Sequence, residues 1–358
     1  MEVKQESDET AGSNQEKSVK KSNNLVKQIV SGLFAVVLLN LAFHNVDPQK
    51  LWQYSRDIDP LPLVPVCLTA IFSHVLRAYR WTFLLYPVAG RKIGLFNSFY
   101  AVILGYAVNV AIPRGGEVAR LLSICKDEKL PWAGVLPTML IDRMLDMAML
   151  VFLLGVCLLV LPKSLLAAVP GLIPGGIGLL IGTIIGLLLL PNVGAILKAI
   201  LNMDLCRKKL PSALHEKLLE LAAQFESGTR ALKSPVTYPL IAALSFVIWS
   251  MYWLNFYFML PAFHLDKLVG PMSCLIVFTI GSVGVLIPTP GNAGSFHFLV
   301  ALALTKVAPT IPYEQALAYA TVLHVLTFVM TNCIPAALLF LYRKTRESKP
   351  SSTGEKQH

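Results

Sequence analysis

VNVAIPRGGEVAR at 108–120 and VGVLIPTPGNAGS at 283–295 decide how this chain folds. Aligned at a constant offset, they share Val108/Val283, Val110/Val285, Ile112/Ile287, Pro113/Pro288 and Gly116/Gly291. Each closes an apolar run with proline and glycine: Pro113, Gly115 and Gly116 in the first, Pro288, Pro290, Gly291 and Gly294 in the second. A further helix-like stretch follows each break. Interrupting a helix inside a bilayer frees backbone N–H and C=O groups, which persist only where protein or a water-filled cavity satisfies them. Paired interruptions in the two halves of a transporter point to its substrate site. The competing reading is two ordinary loops that end two spans.

Composition fixes the class. Of 358 residues, 55% are apolar and only 15% charged, far more apolar length than one soluble core needs. The expectation is an all-α polytopic membrane protein. The net charge of +10 raises the question of nucleic acid, but the lysines and arginines collect in tails and in a few loops between apolar runs, which is a topology signal; no nucleic-acid partner is expected. Cys67, Cys125, Cys157, Cys206, Cys274 and Cys333 are scattered without a CxxC or a metal-like histidine spacing, so neither a disulfide framework nor a metal or other cofactor is expected.

About 20 apolar residues span the roughly 30 Å hydrocarbon core. Apolar runs lie near 26–44, 61–85, 93–112, 132–161, 171–190, 236–262, 268–288 and 313–342. Read as eight sequential crossings from a cytoplasmic N-terminus, they put the basic segments 113–131 and 191–235 outside, against the positive-inside bias. If 93–112 instead enters from the cytoplasm, breaks at Pro113–Gly116 and returns through 117–128, both basic segments fall inside, and 162–170, with Lys163 alone, falls outside. The same logic turns 268–288 back through 295–308 from the other face. The reading is six full spans plus two oppositely oriented re-entrant hairpins, an inverted repeat whose tips meet near the midplane. A full crossing that puts both motifs at the surfaces is the alternative. The domain plan is a disordered cytoplasmic tail at 1–24, an integral membrane domain at 25–343 with an amphipathic cytoplasmic loop at 191–235, and a polar tail at 344–358. Within the loop, Leu214, Leu218, Leu221 and Phe225 recur at helical spacing and predict a helix over 212–226, lying along the inner membrane surface or packed on the bundle.

Ionisable groups inside apolar runs carry the chemistry, because a charge at membrane depth is costly unless paired or hydrated. Arg77 and Arg80, with Trp81, close the second run; they offer either phosphate contacts or an interfacial anchor. Arg114, Glu117 and Arg120 follow the first break. A helix restarting at Gly115 or Gly116 presents free N–H groups to an anion, Glu117 suits its dipole and can pair with Arg114 or Arg120, and arginine suits bidentate phosphate contact. Asp142, Arg143 and Asp146 sit one turn apart in the fourth run, where Arg143 reaches Asp146 and the carboxylates clamp the arginines of the first hairpin. Tyr106 and Asn109 precede the first break; Thr289, Asn292, Ser295 and His297 surround the second, with His297 assigned to backbone satisfaction. His324 and Asn332 read as interhelical hydrogen-bonding groups.

The pattern Arg80-Trp81, then Tyr106, Asn109, Pro113, Gly116, Glu117 and Arg120, then Arg143 and Asp146, and finally PTPGNAG at 288–294 resembles the lysylphosphatidylglycerol synthase transmembrane-region family, also called flippase-like or UPF0104 membrane proteins. The resemblance runs from about residue 26 to 342. It implies movement of phospholipids, such as aminoacylated phosphatidylglycerol, between leaflets. Two positions depart from the family's habit: Asp142 stands where glutamate is common, and Gly291-Asn292 stands where the second break usually reads Pro-Gly-Gly. After Leu341 only a short polar stretch remains, without the aminoacyl-transferase domain of the synthases, so no enzyme is expected.

The resulting expectation is a multi-pass protein of the cell (inner) membrane with both termini cytoplasmic. It binds a lipid with an anionic phosphate headgroup between the hairpin tips, with Arg114, Arg120, Arg77, Arg80, Asn109, Tyr106, Asn292 and Ser295 contacting it and Glu117, Asp142, Arg143 and Asp146 supporting them through ion pairs. The alternative is a non-transporting scaffold for a membrane partner, a lipid-modifying enzyme or glycosyltransferase.

Overall fold

The computed structural model describes residues 36–347, apart from 45, 113–114, 161–162, 170, 204–205, 208–209 and 288. The tail at 1–24, the last residues from 348 on, and three positions of the breaks, Pro113, Arg114 and Pro288, lie outside the described residues.

Among the described residues the fold is all helix, without a strand. The helices are α1 (36–43), α2 (Pro48–Arg56), α3 (Leu63–Ala89), α4 (Leu95–Ala111), α5 (Gly115–Glu128), α6 (Trp132–Leu158), α7 (Lys163–Ala168), α8 (Leu172–Leu189), α9 (Val193–Leu201), α10 (Ser212–Thr229), α11 (Thr237–Ala262), α12 (Pro271–Val285), α13 (Ser295–Val307), α14 (Tyr313–His324) and α15 (Thr331–Glu347). Three continuous stretches are long and apolar enough to cross a membrane: Leu172–Leu201, Thr237–Ala262 and Tyr313–Thr345. Shorter apolar helices occupy Leu95–Ala111, Pro271–Val285 and Ser295–Val307. α3 and α6, at 27 residues each, extend about 40 Å at 1.5 Å per residue, but carry the buried charges described below.

Local sequence explains the boundaries. Asp47 accepts from the Gln49 and Lys50 N–H groups and starts α2, as a capping carboxylate does. Gly90, at φ +65°, ends α3 with its N–H on the Tyr86 carbonyl, the left-handed cap that glycine adopts freely. Pro271 opens α12, where its missing N–H costs nothing. The run 171–190 does not stop where the sequence reading ends it. Pro191 is absorbed in a single 3-10 turn, Leu190–Asn192, and the helix goes on to Leu201. α15 likewise continues to Glu347.

The order of elements repeats. A long helix (α3), a short pair (α4 and α5) and a second long helix (α6) are followed later by a long helix (α11), a short pair (α12 and α13) and a long composite helix (α14 with α15). α3 lies along α11, and within each short pair the two helices pack on each other. One apolar core gathers Trp81, Leu84, Leu85, Ile124, Ile141 and Leu145 from the first unit; the other gathers Leu150, Leu154, Met259, Phe278, Phe296 and Tyr319, mostly from the second. α6 belongs to both cores, and Asp146 falls at the change-over. The amphipathic segment forms α10 and packs on α6 and α9, so closely that a Cβ on Gly228 would stand 2.2 Å from the Gly134 carbonyl oxygen.

Candidate functional site

The first break is built by its own residues. α4 ends at Ala111, the Ile112 N–H bonds the Val108 carbonyl at 2.8 Å, and the chain re-enters helix at Gly115. Asn109 reaches across from the end of α4 and accepts the Gly116 N–H on Oδ1 at 2.9 Å, satisfying one of the orphan donors at the start of α5. Gly116 permits this approach: a Cβ there would lie 1.9 Å from the Gly105 carbonyl oxygen.

The second break uses backbone that glycine and asparagine tolerate. Gly291 (φ +57°), Asn292 (φ +59°) and Gly294 (φ +88°) all adopt positive φ. His297 accepts the Gly294 N–H on Nδ1 at 3.3 Å, and His324 Nε2 is 2.7 Å from the Gly291 carbonyl oxygen, as its donor. His297 thus satisfies backbone, as expected. Asn332 differs: its amide donates to the Thr327 and Phe328 carbonyls of its own helix. There the path between α14 and α15 widens into a π turn, Val325–Met330, whose loosened carbonyls can accept that second bond. The two tips meet, because a Cβ on Gly291 would be 3.5 Å from the Val110 carbonyl oxygen.

Between α3, α5 and α6 lies an ionic seam. Asp142 accepts from Arg77 Nη2 at 3.0 Å, Arg80 Nη2 at 2.6 Å and Arg120 Nη1 at 2.9 Å. Asp146 pairs with Arg77 and, at 3.0 Å, with Arg80. Arg80 and Asp142 are fully buried. The carboxylates hold arginines as the spacing anticipates, but those arginines come chiefly from the second run. Arg120 stacks over the Trp81 ring at 3.8 Å, and the Trp81 indole donates to Thr138 at 3.0 Å. Trp81 is therefore a buried wall of the seam and not an interfacial anchor. Glu117, expected on Arg114 or Arg120, pairs with Arg143, because α5 folds back beside α6 and brings the two face to face. Arg143 also stands 3.9 Å from Asp146. This outer pair is the most exposed part of the seam, with side chains 40% and 34% exposed.

A cavity of about 400 Å³ opens between this seam and the two tips, within the range of small-ligand sites. Its lining includes Arg77, Tyr106, Asn109, Glu117, Arg143 and Asp146 from the first unit, and Thr289, Gly291 and Asn292 from the second break. Arg80, Arg120 and Ser295 are outside that lining. The sequence reading missed His74, Tyr252, Asn255, Ser282 and Thr327, which also line it; the available signal was a polar side chain within an apolar run, the same signal that found Asn332. Buried polar atoms without a partner, His74 Nδ1 and Nε2, Thr289 Oγ1 and Asn332 Oδ1, belong to lining residues. Among the described residues, the guanidiniums of Arg77, Arg80, Arg120 and Arg143 face the carboxylates of Glu117, Asp142 and Asp146, so the seam is net positive. Grouped histidine, cysteine and carboxylate ligands for a metal are absent among the described residues.

Comparison with known proteins places this arrangement. The sequence profile of the lysylphosphatidylglycerol synthase TM region matches residues 28–334, which include both breaks and the whole seam. The chain belongs to that family. A UPF0104 membrane protein of Methanocaldococcus jannaschii is 20% identical over 337 residues, covering 92% of this chain and 98% of its own length. The lysylphosphatidylglycerol synthase TM-region match makes this a membrane protein, in keeping with its three long apolar helices.

Proposed function

We propose that this protein binds the phosphate-bearing headgroup of a membrane lipid between the two broken helices and passes the lipid from one leaflet to the other. The observation that supports this most is the cavity: Arg77 and Arg143, with Glu117 and Asp146, on one side and the tips of both breaks on the other. Arg143 is the arginine best suited to exchange partners. Its pairing with Glu117 is the most exposed of the seam, so it is the pair that a phosphodiester in the cavity can reach. Arg77 keeps Nη1 near the Tyr252 hydroxyl, at 3.3 Å, and supplies fixed positive charge. Asn109, Asn292 and Tyr106 offer neutral hydrogen bonds. The buried Arg80 and Arg120, with Asp142 and Asp146, hold this arrangement in place and do not touch the headgroup.

In this reading the short pairs α4–α5 and α12–α13 are re-entrant hairpins from opposite faces, six further segments cross fully, and both termini are cytoplasmic in the cell membrane. The protein is not an enzyme. The test is reconstitution into liposomes carrying phosphatidylglycerol with a labelled headgroup. Wild-type protein is expected to move the label between leaflets, and Arg143→Gln to slow it at least tenfold. If wild-type protein moves no lipid and co-purifies with one stoichiometric membrane enzyme, the scaffold reading replaces this one.

A further inference from the structure

A second cavity, of about 450 Å³, adjoins the polar one and is walled almost wholly by apolar side chains of α6, α11 and α12. The two share Trp249 and Phe278, whose rings meet edge to face at 5.8 Å. They are offset along α6 and α12, whereas on α11 their linings interleave, with Phe246, Ser250 and Trp253 in the groove and Tyr252, Asn255 and Phe256 in the polar cavity. On α6 the polar cavity takes Arg143, Asp146 and Met147, and the apolar groove takes Met149, Phe152 and Val156. On α12 the order reverses: Ser282 and Val285 line the polar cavity, while Pro271, Met272 and Leu275 line the groove. From Asp146 to Val156 the helix advances about 15 Å.

We infer that the groove holds a hydrocarbon chain of the same lipid whose headgroup occupies the polar cavity, with Trp249 at the level of the ester linkage. This rests on the lipid reading above and adds the site that would recognise the other half of the molecule. A diacyl phospholipid passes from charged phosphodiester to ester carbonyl to hydrocarbon within a few bonds. The walls change in the same order, from guanidinium and amide, through indole, to aliphatic and aromatic carbon. Trp249 is 7% exposed and its Nε1 has no hydrogen-bond partner, although buried indole N–H groups ordinarily find one. An indole can only donate, and an ester carbonyl can only accept. A free phosphate would fill one cavity and leave the other empty.

The experiment uses full-length protein in nanodiscs with phosphatidylglycerol carrying a diazirine in one acyl chain. Cross-links are expected to concentrate on Met149, Phe152, Trp253 and Met272. Ser250→Trp, which fills the groove from its rim, should abolish that concentration at unchanged melting temperature; Ile181→Trp on the outward face of α8 should not. Trp249→Phe keeps a ring and removes the donor. It should weaken the diester probe about threefold to tenfold and leave a diether analogue unaffected. Cross-links spread evenly over outward-facing helices, α8 included, would overturn the inference, and the liposome assay would then judge the headgroup reading alone. Groove cross-links equally strong with a diacylglycerol probe lacking the headgroup would keep the groove and remove the headgroup reading.

Discussion

A wholly buried carboxylate persists only among cations, and Asp142 has Arg77, Arg80 and Arg120. Replacing it with asparagine keeps the shape and removes the charge, leaving Asp146 to serve Arg77 and Arg80, and Arg120 without an acidic partner. Breaking a buried ionic group costs about 3–5 kcal/mol, so Asp142→Asn should lower the melting temperature in detergent sharply. Arg143→Gln at the more exposed edge should cost less while impairing lipid movement; equal destabilisation by the two changes would mean the seam has no separable outer part. That the charges inside the apolar runs would pair with one another was readable from the sequence, because a charge at membrane depth is costly unless paired. Their partners were not. Spacing along one helix can pair Arg143 with Asp146, but nothing local reveals that α5 returns to bring Glu117 onto Arg143, or that α3 delivers Arg77 and Arg80 onto Asp142 and Asp146.

At the scale of an element, the first hairpin closes because two glycines let backbone touch backbone. Gly116→Ala would place a methyl group 1.9 Å from the Gly105 carbonyl oxygen. Overpacking of this kind costs about 1–3 kcal/mol or more, and it should also pull the Gly116 N–H away from Asn109. Gly178→Ala on α8 meets nothing within 4 Å and should change stability by about 1 kcal/mol at most, as the change in helix propensity alone implies. Comparing the two by thermal unfolding separates close approach from a general intolerance of alanine; matching losses would defeat the close-approach account. The breaks were legible because Pro and Gly punctuate them, and the helix over 212–226 because its apolar residues keep a 3.6 period. The π turn Val325–Met330 and the passage through Pro191 were not. A π turn has no residue signature, and a proline inside one 3-10 turn looks the same in sequence as a proline that ends a helix.

Across the whole molecule, the basic segments gather at one end of the bundle. Arg91, just after α3, pairs with Glu128 at the end of α5. Arg343, near the end of α15, pairs with Asp127 at 2.5 Å and donates to Asn97 at the start of α4. α10 leans on the start of α6 through Gly228 and Gly134, and its Glu226 holds Lys198 of α9 beside it. Lysine and arginine accumulate on the cytoplasmic side, so this clustered end is expected to be cytoplasmic, and the pair α4–α5 must then enter and leave by one face. Cys125, near the end of α5, and Cys206, between α9 and α10, are both half-buried free thiols suited to reporting it. In sealed, oriented vesicles, a membrane-impermeant maleimide should reach both from the cytoplasmic face only, and should reach Lys163→Cys, at the start of α7, from the opposite face. If Cys125 and Cys206 both label from the outer face instead, and Lys163→Cys from the cytoplasmic one, the run 93–112 crosses the bilayer entirely. The two breaks would then lie at the surfaces, and no headgroup could sit between them at the midplane.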